Sequence, residues 1–147
     1  MKAELTAALA AEEAAIYAYG LIGVRLPAPA DRAEARAAEQ AHRIRRDVLI
    51  DLMSRLRIAL TAAPAAYLTP FPVTDRRSAL ELAVHVENGV ARAWHTVLPV
   101  TADADRMAAL AALTDSAVRA TRWRRLAGVA PTTLAFPGDP GSSEKTG

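Results

Sequence analysis

The chain has 147 residues, of which 52% are hydrophobic, 5% are aromatic and none is cysteine. This length accommodates one domain with a sizeable core, and the lack of cysteine excludes disulfides and thiolate metal sites. The net charge of +2 is small for a nucleic-acid binder, because such proteins concentrate positive charge on one face. No apolar run approaches the ~20 residues of a membrane span, and the N-terminal pattern is not that of a signal peptide. We therefore expect a soluble cytoplasmic protein without nucleic-acid or membrane partners.

Helical periodicity, in an alanine-rich and glycine-poor sequence, divides the chain into four segments separated by prolines. Asp31 is a good N-cap for the second helix because Glu34 follows three residues later. Gly128 is a natural C-cap for the fourth helix. The predicted helices cover residues 2–24, 31–60, 75–98 and, from residue 101 or 103, the stretch up to 128.

The connections between these helices differ in length. The first and third are short, so helices one and two should form one antiparallel hairpin and helices three and four another. The linker between the hairpins, residues 61–74, extends up to ~45 Å, which is enough to cross the length of a bundle. The predicted fold class is therefore all-α: a four-helix bundle of two antiparallel hairpins joined by a long crossover.

Beyond the fourth helix, residues 129–137 contain apolar Leu134 and Phe136 and should pack back onto the bundle. The last ten residues are rich in glycine, serine and charge. We therefore predict a bundle domain of residues 1–137 and a disordered tail of residues 138–147.

The first and third helices carry the same inward pattern, with residues spaced alternately by four and three. In each column a glutamate stands in the middle, and an aromatic residue with a core-packing role follows seven positions later. The columns are Leu5, Leu9, Glu12, Ile16, Tyr19 and Gly23, and Leu80, Val84, Glu87, Ala91, Trp94 and Leu98. Glu12 and Glu87 should therefore point into the bundle at the same depth.

The second helix contains an E-x-x-H motif, Glu39 and His42, whose side chains project from one face of a helix. In the same register the fourth helix presents Asp115, with Val118 where a second histidine would stand. The carboxylates of the two hairpins are 27 and 28 residues apart, which indicates an internal repeat. A competing, milder seam on the fourth helix consists of Leu110, Thr114, Ala117 and Thr121.

Four acids at one level of a bundle core need a source of positive charge, since an uncompensated buried charge is costly. In one explanation the core binds one or two ions of iron or manganese, with Asp115 as the weakest ligand. In the other, Arg46 and Arg122 neutralise the acids and no metal is bound. The candidate ligands are Glu12, Glu39, His42, Glu87 and Asp115.

With these residues the chain resembles the ferritin-like superfamily, in which glutamates and E-x-x-H motifs on four helices bind paired iron or manganese. Val118 departs from that motif and favours a single or asymmetric metal site. More narrowly, residues 3–138 are similar to the actinobacterial ferritin-like DUF4439 family, whose resemblance implies the fold and no established activity. The segments that carry this likeness are AAEEAAIYAYG, AEQAHRIRRD, LAVHVENGVARAW and AFPG.

Two functions follow from this interpretation. The first is a ferritin-like protein with a carboxylate and histidine metal site; if the site is redox-active, O2 or peroxide would bind at an open coordination position. The sequence names no organic substrate and leaves open whether the protein is an enzyme. The alternative is a non-catalytic, metal-free helical module that acts through protein–protein contacts. A homodimer is expected, with the exposed part of the proline-rich linker as one candidate contact.

Overall fold

The computed structural model describes residues 1–139. Within them the chain forms four α-helices and one turn of 3-10 helix, Leu98–Val100, and no strand. This confirms the all-α fold class. The α-helices are α1 (Lys2–Gly23), α2 (Pro29–Arg55), α3 (Arg76–Val97) and α4 (Asp103–Ala127).

The helices pack around two apolar clusters, one near each end of the bundle. The first cluster joins the start of α1, at Leu5, to the end of α3, at Val97. The second joins the end of α1, at Ile22, to the start of α3, at Leu80. α1 and α3 are therefore antiparallel, and residues 56–75 run from one end of the bundle to the other. This confirms two antiparallel hairpins joined by a long crossover.

Contacts between the helices are uneven. α1 packs closely against α2 and α3, and α3 packs closely against α4, whereas α2 and α4 meet at only a few positions. The side of the bundle between α2 and α4 is consequently the least tightly packed. Long polar side chains span this gap, as described below.

The predicted helix ends are confirmed in part. Asp75 caps α3 in a capping box with Ser78, and Gly128 ends α4 with φ of 70°. The predicted start of α2 at Asp31 is wrong, because Pro29 occupies the first turn, where its missing N–H costs nothing. α2 also ends earlier than expected, at Arg55, and Arg57 follows with a positive φ.

Both registers predicted for α4 are wrong. Val118 and Leu110 are exposed, so neither predicted seam faces the core. Alanines occupy most sides of this helix, so its hydrophobic periodicity is weak. The buried indole of Trp123 marks the side that faces the core. The buried residues of α4 are Ala109, Ala112, Leu113, Ser116, Arg119, Ala120, Trp123 and Arg124.

After α4 the chain returns along the groove between α3 and α4. Leu134 lines this groove, as predicted, while Phe136 is largely exposed. Gly138 lies so close to α3 that a Cβ there would meet the Cβ of His95 at 2.8 Å and the carbonyl oxygen of Ala91 at 2.9 Å. Residues 140–147 of the predicted tail lie outside the described residues.

Among the helices of residues 1–139, α1 alone is long and apolar enough to cross a membrane by length and composition. In this fold α1 packs against α2 and α3, and its buried residues include Glu12. The same composition is expected of a helix that is surrounded by others.

Candidate functional site

Three ionisable side chains meet midway along the bundle, between the two apolar clusters. Glu12 of α1, His42 of α2 and Glu87 of α3 are each 0% exposed. His42 lies between the two carboxylates: its Nδ1 is 2.6 Å from Glu12 Oε2, and its Nε2 is 3.1 Å from Glu87 Oε1. Both ring nitrogens can donate at once only in the imidazolium form. The geometry therefore favours a protonated histidine shared by two carboxylates.

Aromatic side chains donate further hydrogen bonds to both glutamates, while Glu87 Oε2 has no hydrogen-bond partner within residues 1–139. The Trp94 indole donates to Glu12 Oε1 over 2.5 Å, and the Tyr19 hydroxyl donates to Glu87 Oε1 over 2.6 Å. Trp123 in turn donates to the Tyr19 hydroxyl oxygen over 2.8 Å. The aromatic residues seven positions after each glutamate thus hold the carboxylates as well as filling the core, a role that the sequence pattern did not indicate.

The protonation preferences follow from these contacts. Burial alone would lower the pKa of His42, but the hydrogen bonds and charges of Glu12 and Glu87 outweigh it, so the pKa is raised. Burial alone would raise the pKa of Glu87, but His42 and Tyr19 outweigh it, so the pKa is lowered. Burial, together with the charge of Glu87, raises the pKa of Tyr19 well above its ordinary value.

Two arginines and an aspartate extend this cluster into the gap between α2 and α4. Arg45 of α2 forms an ion pair with Asp115 of α4 and donates to Ser116 Oγ over 3.1 Å. Arg119 of α4 is 3.0 Å from Asp115 Oδ2 and 4.0 Å from Glu87 Oε1. Burial lowers the pKa of the Arg45 guanidinium.

We call the six ionisable residues of this region the charged layer. Its three acids face three groups that carry positive charge when histidine is protonated, so the layer is neutral overall. The members are Glu12, His42, Arg45, Glu87, Asp115 and Arg119.

Only three of the five predicted ligands come together, namely Glu12, His42 and Glu87. Glu39 lies at the flank of α2, 29% exposed, where it forms an ion pair of 2.6 Å with Arg43. Three residues along a helix leave side chains about 60° apart, and that rotation carries Glu39 toward solvent. Asp115 is 44% exposed and lies between two guanidinium groups.

The prediction that Arg46 and Arg122 neutralise the core acids is also wrong. Arg46 pairs with its neighbour Asp47 over 2.8 Å, and Arg122 is exposed and pairs with Glu34 over 3.1 Å. Their role belongs to Arg45 and Arg119. The error on α4 follows from its wrongly predicted register. Arg119 lies four residues after Asp115, on the same face of the helix.

The described residues do not fit a metal ion well. None of their His, Asp and Glu side chains form a group of three arranged to hold one. The two nitrogens of His42 point in opposite directions, each toward a different carboxylate, so the imidazole and both acids cannot converge on one point. Arg45 and Arg119 beside them would repel a cation.

The fold and the charged layer define an all-α four-helix bundle with an ionisable centre of glutamate, histidine and glutamate. The chain belongs to the family described as Domain of unknown function (DUF4439), which matches residues 4–141. This confirms the likeness found in the sequence.

A solved structure is similar over nearly the whole chain. It is the crystal structure of a conserved hypothetical protein, rv2844, from Mycobacterium tuberculosis, with 42% sequence identity and a TM-score of 0.81. The match covers 92% of this chain and 95% of that one. The comparison with curated proteins returned no match. Family membership and the actinobacterial neighbour thus agree on the fold without naming an activity.

The two buried tryptophans provide a matched test of the charged layer. Trp94→Phe removes a donor to a carboxylate, and such bonds contribute about 1.5–3 kcal/mol, whereas Trp123→Phe removes a donor to a neutral hydroxyl, worth about 0.5–1.5 kcal/mol. Both indoles are almost fully buried, so the loss of packing is similar. Urea denaturation should show the larger loss of stability for Trp94→Phe; an equal or reversed order would contradict a charged Glu12.

Proposed function

We propose that this protein is a ferritin-like helical module that binds no metal in its core and acts through protein–protein contacts, without catalysis. The observation that carries the proposal is the position of His42, with a separate carboxylate at each ring nitrogen. In a metal site the same nitrogen lone pair would be needed for the ion. Here the histidine serves instead as the cation that the two glutamates require.

The remaining charges support the same conclusion. Asp115 is paired with Arg45 and Arg119, and Glu39 with Arg43, so both outer candidate ligands already have cationic partners. Binding a divalent ion would need these pairs to open and His42 to lose its proton. Each step opposes binding, and no uncompensated acid is left in the charged layer to favour it.

The surface supports a role in binding other proteins. Several large apolar side chains are well exposed on the outer faces of α2 and α4, among them Ile44 at 55% and Met107 at 65%. Exposed large apolar side chains of this kind occur at interaction sites. The cytoplasmic location expected from the sequence stays a prediction.

Metal analysis tests the proposal. Protein purified without chelator and then given Fe(II) or Mn(II) anaerobically should hold less than about 0.1 equivalent after desalting. Its melting temperature should not rise with added metal, since an ion that binds only the folded state would stabilise it. The matched control is Glu12→Gln with Glu87→Gln, which removes both acids that touch His42.

The metal-site hypothesis makes the opposite prediction. Stoichiometric uptake by the wild type that is lost in His42→Ala and in the double glutamine variant would overturn the proposal. Uptake that is unchanged in those variants would place any metal outside the charged layer. That second result would leave the assignment of the core unaffected.

A further inference from the structure

The outer face of α4 carries a line of residues whose spacing is the same when it is counted from either end. Successive members are separated by 4, 3, 4, 4, 3 and 4 positions, with Thr114 at the centre. At 100° per residue these positions stay within a narrow strip of the helix. We call this line the α4 stripe; it consists of Asp103, Met107, Leu110, Thr114, Val118, Thr121 and Arg125.

The middle of the α4 stripe is apolar and open to solvent. Met107 is 65% exposed, Leu110 is 44% and Val118 is 45%. The hydroxyl groups of Thr114 and Thr121 donate to carbonyl oxygens one turn back in the same helix, so these hydroxyls need no partner across an interface. A face of this composition gains free energy when another apolar surface covers it.

The ends of the α4 stripe carry opposite charges. Within residues 1–139, Asp103 and Arg125 are the two charged residues of α4 whose side chains form no ion pair or hydrogen bond. Every other one has a partner in the same part of the chain, such as Arg55 for Asp105 and Glu34 for Arg122.

We propose that two copies of this chain form a symmetric dimer through antiparallel pairing of their α4 stripes, with the two-fold axis at Thr114. Antiparallel pairing places Asp103 against Arg125 of the second copy at both ends, so each unpaired charge gains a partner of opposite sign. It also places Leu110 against Val118 of the second copy. A two-fold interface requires a self-complementary surface of this kind.

A cavity beside the α4 stripe could receive a side chain of the second copy. It has a volume of about 330 Å³ and lies between α3, α4 and the returning chain, with Val118, Thr121 and Leu134 in its lining. In the proposed register Met107 of the second copy lies opposite Thr121, at the mouth of this cavity. A flexible, exposed methionine is well suited to fill an irregular apolar space, and symmetry provides the contact twice.

This dimer goes beyond the proposed function and does not depend on it, because the α4 stripe contains no member of the charged layer. It also places the contact on α4, away from the proline-rich linker that the sequence offered as a candidate. The stripe extends about 33 Å along the helix, which suits an interface at the small end of the range for specific complexes.

Thiol cross-linking tests the register, and the chain has no cysteine of its own to interfere. Thr114→Cys should be joined efficiently to itself by a short bifunctional thiol reagent. Ala104→Cys is the matched control, since it is exposed on the same helix but about 80° around from Thr114. Leu110→Cys mixed with Val118→Cys should give more cross-linked dimer than either variant alone.

A charge exchange tests the ends of the stripe. Asp103→Arg and Arg125→Asp should each weaken the dimer by about tenfold in sedimentation experiments, and the double variant should recover wild-type association. Met107→Lys should weaken it at least as much, with circular dichroism unchanged. A chain that stays monomeric at about 100 μM would overturn the proposal, as would equal cross-linking of Thr114→Cys and Ala104→Cys.

Discussion

His42→Ala should lower the free energy of unfolding by about 3–5 kcal/mol, the cost of breaking a buried ion pair by removing one partner. The substitution leaves Glu12 and Glu87 in the same core without the cation that they share, and both are 0% exposed. It also removes a hydrogen bond from each carboxylate. Urea denaturation near pH 6, followed by circular dichroism, measures the loss.

Two comparisons separate this effect from simple truncation of a core side chain. Glu39→Ala, on the other residue of the E-x-x-H motif, should cost less than about 1 kcal/mol because its ion pair with Arg43 is partly exposed. Adding Glu12→Gln and Glu87→Gln to His42→Ala should restore part of the lost stability, since the uncompensated charges are then gone. Equal losses for Glu39→Ala and His42→Ala would contradict the structure of the charged layer.

The fold was accessible from the sequence because prolines mark the ends of the helices and the crossover is long. The columns on α1 and α3 were also accessible, since large apolar residues surround Glu12 and Glu87 at regular spacing. Such columns give a strong period that fixes which side of a helix is buried. Both glutamates are buried at the predicted depth.

The arrangement on α2 and α4 could not be predicted in the same way. α4 is rich in alanine, which packs equally well on any side, so its register depends on where Trp123 finds space. On α2 two adjacent arginines, Arg45 and Arg46, differ only by a rotation of 100°, and the packing of α2 against its neighbours decides which one reaches the core. Arg45 and Arg119 were therefore missed, although each is close in sequence to a residue that was identified.

The two helical hairpins contribute different side chains to the centre of the bundle. One hairpin contributes a histidine and the other an arginine at the centre of the bundle, His42 from α2 and Arg119 from α4. The absence of a second histidine at position 118 leaves no gap in the core, because Val118 is 45% exposed and Arg119 takes the inward position.

The stability of the protein should depend on pH in a way that identifies the imidazolium of His42. Its pKa is raised above the ordinary 6.5, so the folded state holds a proton that the unfolded state has already lost. Stability from this group is complete below about pH 6.5 and decreases, by up to about 1.4 kcal/mol per pH unit, until the pH passes the folded pKa. The lowered pKa of Glu87 gives the opposite trend in acid: its contribution is present above about pH 4.5 and is lost as the pH falls through the folded value.

The measurement needs a background in which His42 is the one histidine. The chain has three, and the other two, His85 and His95, are exposed, so glutamine at both positions should leave the bundle intact. In that background the free energy of unfolding should be highest between about pH 4.5 and 6.5 and fall on either side. The carboxylates that raise the pKa of His42 are Glu12 from α1 and Glu87 from α3. The other titratable groups nearby are the neutral Tyr19 from α1, Arg45 from α2, and Asp115 and Arg119 from α4.

Glu87→Gln in the same background shows which contact is responsible. The amide keeps a hydrogen-bond acceptor near His42 Nε2 but lacks the negative charge of Glu87, so the pKa of His42 should fall. The free energy of unfolding should then decline over a narrower pH range above pH 6.5. His42→Gln should abolish that decline altogether. A stability that rises between pH 6.5 and 8 while His42 is present would mean that the histidine is neutral in the folded protein, and the two glutamates would then need another cation.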